Sequence, residues 1–361
     1  MSDSRPNDVS QCQSTPLRTK LKETRIAKLT EAGHVESDAE YEPKFFPADV
    51  IEVVLSRDAV KSVLGCLCDR CGEHANYLPP SYERRTIYLD YVMSDALKLF
   101  ALLVFMEHPA LIGAFVRQRK GDHILDENLK RIDLKNTYLT EIESNSRLTA
   151  VEIRNLLDSF LELCYQFSPP VFKGSWFEEW DPKTALPFIN TTYIGEGGYG
   201  KVYSFQIYPG YKRFVYGDSV SAHPLLHYIV VLKVNRIKTK FAMKEVGLAA
   251  GPIGCLNAEA QNLSKIRDEL EDEKHIIKVL KIFRRGQKIH FIFPLAEGNL
   301  ADLMSKPWRH LPTSDKAICW NSIWDQAVGM LKALARFHSP PEQARWRGYH
   351  SDIKRTYYLL E

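Results

Sequence analysis

Between Ile194 and Val202 the chain reads Ile-Gly-Glu-Gly-Gly-Tyr-Gly-Lys-Val, the pattern G-x-G-x-x-G-x-V. Glycines at this spacing let a backbone turn come close to something bulky and anionic. The missing Cβ atoms remove the steric barrier, and the free N–H groups can point at phosphate oxygens. The flanks restrict what kind of turn this is. The residues that follow, Lys201 to Tyr208, alternate and are rich in β-branched and aromatic types, which predicts a strand. In a dinucleotide-binding fold the glycines would open a helix instead. A P-loop would close on Gly-Lys-Ser/Thr, which is absent here. The expected arrangement is therefore strand, glycine turn, strand.

The chain has 361 residues, room for two or three domains, and its 45% hydrophobic and 26% charged residues predict a packed globular protein. A net charge of +3 gives no reason to expect a nucleic-acid partner. No membrane partner is expected either. The most apolar run, Leu99 to Met106, falls far short of the ~20 residues that a span needs. The N-terminus carries no apolar segment of signal-peptide type, and seven cysteines, an odd number, do not suggest a secreted disulfide framework. An intracellular location, cytoplasmic or nuclear, is the expectation.

Residues 1–42 are polar and low in aromatics, and read as a disordered tail. Residues 43–182 read as a mostly helical domain. Ser94-Asp95 is placed to cap a helix through Leu97, Leu99, Phe100, Leu103 and Val104. Leu111, Ile112, Phe115 and Val116 suggest another after Pro109. From Thr149 to Phe167, the residues Ile153, Leu156, Leu157, Phe160, Leu161 and Cys164 fall on one helical face. Gly174 to Pro187 reads as a linker. One local cluster, Cys66, Cys68, Cys71 and His74, could grip a zinc ion, although four ligands within so short a stretch would be strained. The competing reading is a helix end with partly buried thiols.

From Pro187 the texture changes to short strands. Tyr228 to Leu232 and Phe241 to Val246 read as strands and Leu256 to Leu270 as a helix. Val279–Arg284 and Lys288–Phe293 form a hairpin about Arg285-Gly286-Gln287. A long helix opens at Ser314 and is expected to bury Ile318, Ala327, Leu331, Leu334 and Phe337.

This order of pieces over residues 187–361 resembles a eukaryotic protein kinase. Phe241-Ala242-Met243-Lys244 is similar to the V-A-I-K strand, Phe293-Pro294-Leu295-Ala296 to the fifth strand and hinge, and His350-Ser351-Asp352-Ile353-Lys354 to the catalytic loop H-R-D-L-K. The wording Phe293 to Leu300 is similar to fungal kinase-domain proteins that have a helical N-terminal region. The resemblance implies an ATP- and Mg²⁺-dependent transfer of phosphate to Ser/Thr hydroxyls of a protein substrate. It carries over a nucleotide-binding set of Ile194, Gly195, Gly197, Gly200, Val202, Ala242, Lys244, Glu259, Phe293, Leu295 and Ala296. In that set Lys244 pairs with the α- and β-phosphates and with Glu259, and Lys233 is its rival. Phe293 guards the back of the pocket. The catalytic pair is Asp352, accepting the hydroxyl proton, and Lys354, neutralising the γ-phosphate.

The sequence departs from that pattern at several points. Ser351 stands where many kinases have arginine, and the interval from Gly200 to Lys244 implies an insertion. Tyr357 holds the position of the metal-binding asparagine, and no aspartate follows Asp352 within this sequence, so the D-F-G ligand is not in it. The expected fold is α+β: a mostly helical N-terminal domain, then a kinase-like domain read as C-terminally incomplete. The latter comprises a β-rich small lobe and the first part of a helical large lobe. The expected activity is that of a protein-kinase-type phosphotransferase. One alternative is a catalytically inert nucleotide-binding or scaffold protein, and another is a helical interaction module with a zinc site.

Overall fold

The computed structural model describes residues 12–27, 44–66, 68, 78, 82–126, 148–172, 177–197, 200–211, 240–247, 253–270, 273, 275–296, 298–299, 320–338 and 359–360. The architecture is mixed α and β, and the chain divides into two compact units. The first comprises residues 1–172, 181–189 and 208–212; the second comprises residues 173–180, 190–207 and 213–361.

The helical unit is built about a single apolar helix. Its described helices are α1 (Ser14–Thr24), α2 (Ala48–Val54), α3 (Arg57–Leu64), α4 (Tyr82–Asp95), α5 (Leu97–Phe105), α6 (Ile112–Arg117), α7 (His123–Asp126) and α8 (Ala150–Phe167). Every residue of α5 from Leu99 to Val104 is buried. A helix that is apolar all round must be enclosed on all sides, and α1, α2, α4, α6 and α8 all pack against it. Phe46, between Phe105 and Phe167, cements the centre. Its ring stacks on Phe167 at 4.1 Å and meets Phe105 edge-on at 5.1 Å. The face expected on α8 is the buried one, with Leu161 half-buried at its margin. Thr149 begins α8 with a reciprocal capping box: Glu152 N–H donates to the Thr149 hydroxyl and Thr149 N–H to the Glu152 carboxylate.

Two expectations about this unit fail for identifiable reasons. Ser14–Thr24 are not part of a disordered tail. Leu17 and Leu21, one turn apart on α1, are buried in the core, and Arg18 donates from Nε to the Phe105 carbonyl at 3.0 Å while pairing with Glu107. Two short strands, β1 (Ile26–Ala27) and β2 (Lys44–Phe45), then pair antiparallel. Nor do Ser94 and Asp95 cap α5, because α4 runs on through Asp95. Asp122 caps it instead, accepting from the backbone N–H of Lys98 at 3.1 Å and Leu99 at 2.9 Å. Gly121 lets that loop in: a Cβ there would stand 2.0 Å from the Asp95 carbonyl oxygen.

The second unit centres on a six-stranded mixed sheet in the order β3-β7-β8-β6-β5-β4. The strands are β3 (Phe177–Trp180), β4 (Phe188–Gly197), β5 (Gly200–Ile207), β6 (Lys240–Gly247), β7 (Lys281–Arg285) and β8 (Lys288–Pro294), with α9 (Ile253–Glu269) between β6 and β7. The hairpin β7–β8 turns at Gly286, whose φ of 59° is one that glycine adopts without strain. Phe177–Trp180 fall inside the expected linker but form an edge strand parallel to β7. The Lys281 ammonium, fully buried, explains why: it meets Glu178 at 2.8 Å and lies 6.0 Å from the Trp180 ring centroid. The expected strand at 228–232 lies outside the described residues.

Helix α10 (Trp320–His338) covers the described part of the expected long helix. Leu331, expected inside, is 65% exposed. The packed face is instead the one bearing Gly329, Ala333 and Arg336. Gly329 abuts the His275 ring so closely that a Cβ would lie 2.2 Å from it, and Arg336 pairs with Glu273 at 3.3 Å. That choice of face turns Leu331 outward.

The capping geometry has a direct test. Asp122→Ala removes the acceptor from two backbone donors of the central helix, and should lower unfolding stability by about 1–2 kcal/mol. Ser94→Ala should change it by less than about 0.5 kcal/mol. Denaturant unfolding of the two variants beside the wild type distinguishes these sizes.

Candidate functional site

The glycine motif joins β4 to β5. Gly197 ends β4, Gly200 begins β5, and the two strands are neighbours in the sheet. Gly200 is conformationally required, with φ at 146° and a Cβ that would stand 2.1 Å from the Glu245 carbonyl oxygen of β6. Gly195 differs: nothing lies within 4 Å of where its Cβ would be. The third glycine is thus demanded by the sheet, whereas the first leaves open space over the backbone.

Register then determines which residues meet. Val202 on β5 stands directly opposite Lys244 on β6, which stands opposite Phe291 on β8. Two residues along, Ser204, Ala242 and Phe293 form the next row. Directly paired residues, and residues two apart on a strand, share a face of the sheet. Val202, Ala242, Lys244 and Phe293 therefore lie on one face. Ile194 joins them. Its predecessor Tyr193 packs edge-on against Tyr203 at 5.7 Å, on the opposite face, and alternation turns Ile194 back.

The two faces differ in exposure. Tyr203, Met243, Phe241 and Ile292 on the opposite face are buried. On the Lys244 face, Val202, Ala242, Lys244 and Phe293 are half-buried and Ile194 is 53% exposed. Leu295 and Ala296, just beyond β8, are also half-buried. Helix α9 packs on this same face at its other end. Ala260 and Leu263 cluster there with Val246, Ile289, Phe291, Ile282 and Phe293. Lys244 thus stands between a helix-covered half of the face and an open half, with its ammonium 5.8 Å from the Phe291 ring centroid. Glu259 lies within α9 one residue before Ala260, and its side chain is outside the described structure.

An ionic cluster on the opposite face was not foreseen. Glu245 meets Lys288 at 2.9 Å and His290 at 3.5 Å, and the His290 ring stacks on Phe283 at 4.5 Å. Burial works against the Glu245 carboxylate, but hydrogen bonds from His290 and Lys288 outweigh it and hold this carboxyl below its usual range. Burial pushes His290 down, partly offset by Glu245, which keeps the imidazole neutral beside an ionised carboxylate. The alternation of Lys288, His290 and Ile292 was visible in the sequence; their partner Glu245 was identifiable only through the register.

Asp352, Lys354, Tyr357 and Lys233 lie outside the described residues. The strand that follows them, β10 (Leu359–Leu360), pairs antiparallel with β9 (Gly298–Asn299), just after the Leu295–Ala296 segment. Of the expected zinc ligands, Cys71 and His74 are also outside the described residues. Cys66 and Cys68 come together with Cys12, a residue of the expected tail. Among the described residues, no helix is long and apolar enough to cross a membrane. Neither the protein-family models nor the curated proteins compared with this chain yield a match.

The unequal roles of the glycines can be checked by substitution. Gly200→Ala should lower the unfolding midpoint clearly, with a cost of about 1–3 kcal/mol from the strained φ and the clash with β6. Gly195→Ala should leave stability within about 0.5 kcal/mol of wild type. Thermal unfolding of both variants gives the comparison.

Proposed function

We propose that the second unit binds ATP as the small lobe of a protein-kinase-type domain does, against the sheet face of Ile194, Val202, Ala242, Lys244 and Phe293. The observation that carries this reading is the register. Residues from three separate motifs, each assigned to the nucleotide on sequence resemblance alone, fall on one contiguous and partly open face. Their placement divides the work. Ile194, Val202 and Ala242 offer apolar contact to a base, backbone groups at Leu295 and Ala296 offer its hydrogen bonds, and Phe293 closes the back. Lys244 supplies the positive charge for the α- and β-phosphates. Helix α9 packs where a helix holding Glu259 as the lysine's partner is needed. Gly195 and Gly197 allow the backbone to approach the phosphates.

Phosphoryl transfer to a Ser/Thr hydroxyl is the reaction that Asp352 and Lys354 would serve, with Asp352 taking the proton. In this class catalysis is mostly positioning and neutralisation of charge by Mg²⁺ bridging the β- and γ-phosphates. Tyr357 is a poor Mg²⁺ ligand at the asparagine position, because Mg²⁺ prefers compact hard oxygens in a tight octahedron. General-base help from Asp352 contributes only ~10²–10⁴-fold and does not replace that clamp. The proposed function is therefore nucleotide binding with slow transfer, closer to a regulatory kinase-like protein than to an efficient enzyme.

ATP should raise the thermal midpoint of the full chain, since a ligand held at 100 times its Kd stabilises by about 2.7 kcal/mol. Lys244→Ala should abolish most of that shift, and Gly195→Ala should reduce it without altering the unliganded midpoint. Radiolabel transfer by the wild type should stay near that of Asp352→Ala. Robust transfer that disappears in Asp352→Ala would show that the chain supplies its metal ligand in another way. A shift unaffected by Lys244→Ala would overturn the site.

A further inference from the structure

We propose that Cys12, Cys66 and Cys68 bind one Zn²⁺ ion that clasps the beginning of α1 to the end of α3. The sulfur atoms of these three residues all lie within 4.8 Å of one another, and each residue is half-buried. Tetrahedral zinc with Zn–S bonds of about 2.3 Å sets its sulfurs about 3.8 Å apart. The observed cluster needs only a small side-chain adjustment to reach that spacing.

The backbone on both sides is held in advance. Cys12 sits at the entry to α1, its carbonyl accepting from the Thr15 N–H at 3.1 Å. The helix that follows is anchored in the core by Leu17 and Leu21. Cys66 comes just after Gly65 caps α3, with its N–H donated to the Val63 carbonyl at 3.1 Å; α3 is anchored by Val60, Val63 and Leu64. Two segments far apart in sequence are thus fixed by independent packing so that their thiols converge.

The chemistry favours a soft, redox-inert cation. Thiolate donors select zinc over the hard cations, and three of them fill three of its four positions, leaving the fourth for water or an added donor. A disulfide would use only two of three sulfurs that are mutually close. Metal binding requires loss of the thiol protons, so affinity falls as pH falls. The consequence for the fold is specific: α1, which packs against the central helix α5, gains a second attachment at its first turn.

The test uses the full chain, reduced and then dialysed against Zn²⁺. The expected result is one zinc per chain by elemental analysis. Co²⁺ substitution should give thiolate-to-cobalt charge transfer together with the visible bands of a tetrahedral site. Cys12→Ser should weaken binding at least tenfold. Because that variant could also loosen α1, Cys12 alkylation is followed in the wild type by peptide mass spectrometry. Zn²⁺ should protect Cys12, Cys66 and Cys68 together. Absence of zinc, zinc retained at full affinity in Cys12→Ser, alkylation of Cys12 unaffected by Zn²⁺, or a Cys12 disulfide that persists under mild reductant would each overturn the proposal.

Discussion

The antiparallel ladder through β5, β6 and β8 is the constraint on which the second unit depends. Val202, Lys244 and Phe291 form one rung, and Ser204, Ala242 and Phe293 another. Because side chains alternate, a slip of one residue in either pairing would carry Lys244 to the opposite face and bring Met243 or Glu245 in its place. The sheet resists such a slip on both sides. The opposite face holds Met243, Ile292 and a fully buried Lys281, and the Glu245–Lys288–His290 cluster closes only in this register. A buried carboxylate left without such partners is costly, so the cluster favours this register over a slipped one. Gly200 acts in the same direction, since only a residue without a Cβ lets β5 start so close to the Glu245 carbonyl.

The strands and helices of strong periodicity were legible in the sequence. The β7–β8 hairpin, the strand after the glycine turn, α8 and the apolar run of α5 all follow from alternation or helical spacing. The misreadings share a cause: each depended on a partner remote in the chain. α1 looks like a polar tail because Leu17 and Leu21 are its only buried apolar residues among the described ones, and their value is set by α5. The cap of α5 comes from Asp122 across a loop, although Ser94-Asp95 stands next to it. β3 reads as linker because its stability lies in a parallel partner and in Lys281.

The candidate sites follow the same division. Local motifs singled out Gly195, Lys244, Phe293, Cys66 and Cys68 for attention, since glycine spacing, Ala-x-Lys and clustered cysteines are local signals. What local pattern could not supply was convergence. That the residues of β5, β6 and β8 share a face is a property of the register. That Cys12 belongs with Cys66 and Cys68 is a property of helix packing. In both places packing of rigid elements brings together side chains from distant segments, which is what the two proposed sites would require.

Lysine-directed labelling tests the central claim most directly. An acyl-phosphate derivative of ATP transfers its acyl group to the amine lying nearest the bound phosphates, and peptide mass spectrometry reads the position. The account predicts that Lys244 is the principal modified lysine in the folded chain, and that excess unmodified ATP protects it. Labelling that falls on Lys233 or Lys201, or that is spread over surface lysines and indifferent to ATP, would contradict it.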